Sequence, residues 1–253
     1  MRLPLMLYAL NTLKKRPIVV KRKYNPCVDP LPTWSKPCVA IYNTYEIYCY
    51  DKDWNQIPCG DRITYFNNCG FYAELCSSTC YGNVCNVDFI AKSVGVDTTN
   101  KTKYEVTYLF GVGNYNLQKS SQFIELWFYL YKGRQFVKVY YYQEGLPSSA
   151  PYPNYLEVRV YVDSSRNFTE TKRLRLLPDS TNTLEDLEFK VEIDITNGNL
   201  YVYVDGVLQC EKTNNDVVKA LSLNPMYIYA ENNTYAFGEP LRVMHVLEDI
   251  TLY

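Results

Sequence analysis

Residues 187–210 read LEFKVEIDITNGNLYVYVDGVLQC, and every local signal in this stretch points to the same structure. Leu187, Phe189, Val191, Ile193 and Ile195 alternate with Glu188, Lys190, Glu192 and Asp194. That is the period-two pattern of a strand with one face buried and one in water. Asn197-Gly198 tolerates the positive φ angles of a tight hairpin turn. A second strand follows over 200–204, and Asp205-Gly206 turns the chain again. The result is an antiparallel meander on which the rest of the chain is expected to pack in layers.

Similar alternation runs through residues 96–253. Strands are expected over 103–110, 122–131, 135–142 and 155–162, with an edge strand over 172–177 and closing strands over 226–230 and 241–253. The strand over 122–131 is apolar on both sides, so both of its faces are expected to be covered. Residues 216–222 suit one or two helical turns, which Pro225 ends. Many short strands divided by turn residues, with hardly any helix, define an all-β chain built as a two-sheet antiparallel sandwich.

The chain holds nine Cys, eight of them from Cys27 to Cys85. Cys27, Cys38, Cys49, Cys59 and Cys69 recur every ten or eleven residues, and Cys76, Cys80 and Cys85 follow more closely. There is no Cys-x-x-Cys pair and no His among them, so a zinc site is a poor reading and disulfides a good one. Eight Cys allow about a hundred pairings, and spacing does not choose among them. Disulfides imply an oxidising compartment or a hyperthermophile. Residues 27–95 have few long apolar stretches, so they are expected to form a disulfide-stapled module, either a small domain or a decoration on the sandwich at 96–253. Asp51, Asp53, Asn55 and Asp61 have a faint calcium-loop character, but the Gly and Glu of such a loop are misplaced, which leaves them as turn residues.

Residues 1–26 form an arm. Residues 1–10 are apolar but fall short of the roughly 20 residues a membrane helix requires. Lys14, Lys15 and Arg16 follow where a signal-peptide cleavage site would lie. Lys21, Arg22 and Lys23 make a second basic group. An arm of this kind gains by packing on a neighbouring subunit or an acidic surface.

The strand holding Ile-Glu-Leu-Trp-Phe at 124–128, the strand at 189–195, the Tyr-Val-Tyr-Val-Asp-Gly hairpin at 201–206 and the terminal Glu-Asp-Ile-Thr-Leu-Tyr at 248–253 come in a telling order. Together they resemble the concanavalin-like lectin and laminin-G-like jelly roll. The resemblance covers roughly 96–253 and implies a last strand returning beside the first. It is weak as a guide to activity, because such folds host many functions.

Glycosidases of that fold carry paired carboxylates on one strand. Glu188, Glu192 and Asp194 share a face, but Lys190 lies among them and the Glu-x-Asp-x-x-Glu signature is missing. His245 is the only His and has no Gly-x-Ser-x-Gly partner. No phosphate loop or dinucleotide fingerprint is present, and no cofactor is implied. A formal net charge of −1 gives no global field toward nucleic acid or membrane. Twenty-six Tyr suit sheet faces, subunit contacts and sugar stacking. The sequons at Asn100, Asn167 and Asn232 point to an exterior location.

The expectation is therefore a non-enzymatic surface or assembly protein of a virion, filament or cell envelope, contacting other copies or subunits. The alternative is a carbohydrate-binding lectin-type adhesion protein whose Trp127, Tyr129, Tyr201 and Tyr203 form one sugar-stacking set. A glycosidase is the second alternative.

Overall fold

The computed structural model describes residues 31, 33–51, 53–57, 61–75, 84–114, 121–130, 134–143, 154–174, 185–237 and 241–253. Among the described residues, fifteen strands and one short helix follow in order. They are β1 (Tyr42–Tyr50), β2 (Gln56–Ile57), β3 (Asp61–Tyr65), β4 (Gly70–Leu75), β5 (Val84–Ser93), β6 (Lys103–Asn114), β7 (Ser121–Leu130) and β8 (Phe136–Gln143). Next come β9 (Asn154–Tyr161), β10 (Asn167–Leu174), β11 (Glu185–Asp194), β12 (Asn199–Val204), β13 (Val207–Lys212), α1 (Asp216–Lys219), β14 (Met226–Phe237) and β15 (Leu241–Leu252).

The strands form two sheets in which all the pairings are antiparallel. Sheet I has the order β10-β9-β8-β7-β14-β5-β1-β2 and sheet II the order β13-β12-β11-β6-β15-β4-β3. The expected two-sheet sandwich is what the chain forms. Alternation supplies the core: Val137, Val139 and Tyr141 of β8 and Leu156, Val158 and Val160 of β9 meet Phe189, Val191 and Ile193 of β11 in one buried cluster. Burying each such side chain contributes about 1.5–3 kcal/mol of transfer free energy.

Two expectations are corrected. The 187–210 meander is not central: β11, β12 and β13 make one flank of sheet II, while β6 and β15 run through its middle. The segment 27–95 was expected to be a stapled module, either a small domain or a decoration on the sandwich; its β1 and β5 join sheet I through β14, and β3 and β4 join sheet II through β15. Its apolar residues Tyr42, Phe71, Ala73, Phe89 and Ala91 lie in the same core as the later strands. A segment too poor in apolar stretches to build its own core does not need one when its strands extend existing sheets. β15 does pair with β6, the first strand after residue 96.

Turn chemistry follows the sequence in part: at Asn197-Gly198, expected to make a tight hairpin, only Gly198 takes positive φ, 69°, and residues 195–198 all lie between the paired Asp194 and Asn199. Asp205 and Gly206 both take positive φ, 51° and 76°, between the paired Val204 and Val207, which is the two-residue turn that matches strand twist. Asn215 caps α1, its side chain accepting from the backbone N–H groups of Val217 and Val218. Asp51 shapes the β1–β2 turn, its Oδ1 accepting from the backbone N–H groups of Asp53 and Asn55 at 2.9 Å each. At Gly70 an added Cβ would lie 1.9 Å from the His245 carbonyl oxygen, so β4 and β15 approach this closely only because residue 70 has no side chain.

Outside sheet II a smaller cluster forms from Phe66, Cys69, Tyr72, Leu109 and Val246, with Trp34 and Cys38 packed on it. The strap carrying Trp34 is pinned there by the Cys38–Cys69 disulfide and by the Val39 N–H donating to the Leu247 carbonyl at 3.0 Å. Cys49 is also disulfide-bonded. Cys27, Cys59, Cys76 and Cys80 lie outside the described residues, as does the arm at 1–26 with Lys14, Lys15, Arg16, Lys21, Arg22 and Lys23. Cys85 sits within β5, where it pairs in register with Ala236. Cys210 is the buried free thiol among the described residues, and burial pushes its pKa up to about 11.

His245 is buried between the sheets, stacked on Phe71 at 5.1 Å and edge-on to Phe110 at 4.6 Å. Its Nδ1 shares a 2.7 Å hydrogen bond with the Tyr108 hydroxyl. It is a packing residue.

Two outcomes follow from this core. The double variant Cys38→Ala/Cys69→Ala frees a loop of 31 residues in the unfolded chain, and urea denaturation should show a loss of roughly 3–4 kcal/mol. Burial pulls His245 from 6.5 down to about 3, so the unfolded chain binds a proton that the folded one does not. His245 therefore costs nothing above pH 6.5 and destabilises progressively as pH falls toward 3. Between about pH 6 and 5, above most carboxylate titrations, the wild-type unfolding free energy from urea denaturation should drop with a slope approaching about 1.4 kcal/mol per pH unit, and His245→Leu should lack that slope.

Candidate functional site: the outer face of sheet I

Residues that alternate with the core positions of β7, β8, β9 and β14 face outward, and the strand registers align them in rows. One row crosses the sheet as Tyr161, Phe136, Tyr129 and Tyr227. The next runs Arg159, Lys138, Trp127, Tyr229 and Lys92. The third runs Glu157, Tyr140, Glu125 and Glu231, and a fourth holds Tyr155 and Tyr142. Phe136 stacks on Tyr161 at 5.5 Å, Tyr129 lies 5.6 Å from Tyr227, and Tyr142 lies 5.1 Å from Tyr155. The rings are half-buried against one another. Both faces of β7 were expected to be covered by other layers, but among the described residues only its inner face meets a second sheet.

The centre of this face is charged and tightly coupled. Glu125 Oε1 accepts from Lys138 Nζ at 2.5 Å and Oε2 from the Trp127 indole N–H at 2.7 Å. The Lys138 ammonium also lies 4.6 Å from the Trp127 ring centre and 5.1 Å from that of Tyr140, within cation–π range. The side chains of Lys138 and Glu125 are only 14% and 13% exposed, so water screens their attraction poorly. Directly opposite Glu125, on β14, Glu231 accepts from the Tyr229 hydroxyl at 2.5 Å. Burial raises the Glu231 pKa first, and the nearby Asp88 and Glu125 carboxylates raise it further. Burial also raises the Tyr229 and Tyr140 hydroxyls.

The outer face of sheet II is different in kind. Lys190 meets Glu192 at 2.5 Å and Glu105 at 3.4 Å, and Lys103 meets Glu105 at 3.2 Å, making a ladder of opposite charges. Tyr201 and Tyr203 lie on this face, where the Lys190 ammonium sits 5.9 Å from the Tyr203 ring centre. The four aromatics expected to form one set are thus divided, Trp127 and Tyr129 on one outer face of the sandwich and Tyr201 and Tyr203 on the other. Glu188, Glu192 and Asp194 also belong to this second face. Glu192 is held by Lys190, and Asp194 is committed to the turn, accepting from the Asn197 backbone and side-chain N–H groups at 2.9 and 2.8 Å.

The sequons separate by burial. Asn100 is exposed with φ of 60°, and Asn167 is exposed at the start of β10, its amide donating to the Asp163 and Ser164 carbonyls. Asn232 is fully buried on the inward side of β14, in line with Ile228 and Ala230, so an oligosaccharide has no room there. Sequence reading did not single out Phe136, Lys138, Tyr140, Tyr229, Glu125 or Glu231 as a site. The available signal was alternating aromatic positions in successive strands, but assembling it required the register.

No protein-family model and no curated protein matches the chain. Among solved structures, similarity is found to the botulinum neurotoxin DC binding domain in complex with rat synaptotagmin II, at 5% identity and a TM-score of 0.42 over 83% of this chain. This chain spans only 43% of that structure's length. The CBM2 module of the Lactobacillus casei BL23 phage J-1 evolved Dit aligns over 82% of this chain and 99% of its own, at 10% identity and a TM-score of 0.43. The catalytic domain of an endo-1,3-beta-glucanase from Thermotoga petrophila aligns over 66% of this chain and 68% of its own, at 12% identity and a TM-score of 0.37. The class of the protein, a two-sheet antiparallel β-sandwich, stands on the strand registers above.

The coupling at the centre of the face is measurable. Lys138→Met leaves Glu125 with Trp127 as its remaining partner, and chemical denaturation should show a loss of roughly 2–3 kcal/mol. Adding Glu125→Gln removes the stranded charge and should recover part of that loss.

Proposed function

We propose that the protein is a non-catalytic, lectin-like attachment protein of an extracellular or virion surface, and that it holds glycans on the outer face of sheet I. The observation that carries this reading is the run of half-exposed rings aligned across β9, β8, β7 and β14 beside hydrogen-bonding carboxylates and phenols. Pyranose rings offer apolar C–H faces to aromatic faces and hydroxyls to polar groups, so a surface with both at strand spacing suits a chain of sugars. A broad sheet face favours an extended saccharide over a small molecule enclosed on all sides. The Cys38–Cys69 disulfide fits an oxidising exterior. No helix among the described residues is long and apolar enough to cross a membrane.

The same face is also rich in the Tyr, Trp, Phe and Arg that populate subunit contacts, which favours assembly as a second reading. Binding and oligomeric state distinguish the two. On a glycan array the wild-type protein should bind, and Trp127→Ala, with its β-sheet circular dichroism retained, should bind at least about tenfold more weakly, a loss of about 1.4 kcal/mol. Absence of glycan binding, together with a multimer that Trp127→Ala dissociates, would replace attachment by assembly. Release of reducing sugar that disappears with Glu125→Gln or Glu231→Gln would show a glycosidase.

A further inference from the structure

We propose that the sheet I face selects saccharides that carry a free amine and turns away those that carry a carboxylate or a sulfate. This rests on the reading of that face as a glycan surface and adds the charge of the sugar it takes.

Near its centre, the cations of the face are already committed. Lys138 is bound to Glu125 at 2.5 Å, Lys92 to Glu46 at 2.8 Å and Arg159 to Glu157 at 3.0 Å. Glu231 differs, because its hydrogen-bond donor is the neutral Tyr229 phenol. It stands directly across the β7–β14 pair from Glu125, and like charges in that position repel. A neighbouring strand adds Asp88, whose field acts on Glu231 in the same sense, and the Lys138 ammonium offsets only part of it. A cation arriving at Glu231 relieves this repulsion, whereas an anion adds to it.

The protein also shows how the face accommodates an ammonium group. The Lys138 ammonium rests between the Glu125 carboxylate and the rings of Trp127 and Tyr140. Glu231 offers a second carboxylate beside Tyr229, whose register partner across the strand pair is Trp127. A protonated sugar amine set against Glu231 with its pyranose over these rings would repeat that arrangement. Arg173 belongs to the Tyr155 row on β10 and is the cation an anionic sugar would seek. It lies four strand spacings from β14, roughly 19 Å at about 4.8 Å per strand, and so beyond a Debye length at physiological salt.

The test is calorimetric titration of the full chain at pH 6 and low salt with three oligosaccharide sets of equal length. These are glucosamine oligomers, their N-acetylated counterparts, and sialylated or sulfated oligomers. The expected result is at least fivefold tighter binding of the free-amine set than of the N-acetylated set, with the anionic set weakest. Glu231→Gln should bring free-amine binding down to the level of N-acetylated binding or below it. In the wild-type protein, added salt should erode the amine preference, a readout that does not depend on any variant folding. Equal affinity for amine and N-acetyl sets, anionic binding as tight as neutral, or an amine preference that survives Glu231→Gln would overturn this inference and leave glycan attachment standing. Failure of all three sets to bind would instead overturn glycan attachment itself.

Discussion

Backbone hydrogen bonding by the last two strands makes one sandwich out of two dissimilar halves of the chain. β14 pairs with β5 on one side and β7 on the other, and β15 pairs with β4 and β6. Without them, the strands before residue 95 and those after it would each present an open edge with unpaired N–H and C=O groups. The residues that meet across these seams record how closely they fit. Gly70 allows β15 to approach β4, and His245, donated by β15, fills the space between Phe71 and Phe110. A lone histidine read from sequence invites a chemical role; enclosed by aromatic rings with its charged form suppressed, it serves packing.

The two outer faces show how one alternating pattern can serve opposite ends. On sheet II the outward residues of β6 and β11 alternate in charge, and Lys190 bridges Glu105 and Glu192 as a solvated ladder. On sheet I the outward residues are mostly rings, and the central charged pair sits low among them, as the 13% exposure of Glu125 shows. The first arrangement satisfies itself in water. The second holds apolar area and oriented polar groups at a surface, which is the physical basis for assigning recognition to sheet I.

The cysteine-rich segment illustrates where sequence reasoning went astray. Residues 27–95 have few long apolar stretches, and cross-links were the natural remedy for a small domain or a decoration on the sandwich. The Cys38–Cys69 bond does exist, but it pins a strap against sheet II rather than holding a separate module together. The apolar residues of β4 and β5 are buried by neighbours far along the chain, which local composition does not register.

Much of the fold was legible because period-two alternation and turn preferences are local. Which side of β11 or β9 faces the core, where Asp205-Gly206 turns and where Asn215 starts a helix all depend on neighbouring residues alone. Tertiary structure decided which strands lie side by side, and with that everything that makes a site. It parted Trp127 and Tyr129 from Tyr201 and Tyr203, buried Asn232, and set Glu231 opposite Glu125 although 106 positions separate them in the chain. Strand order and register are settled by pairing between distant segments as they compete for backbone hydrogen bonds and a shared core, and no window of sequence contains both partners.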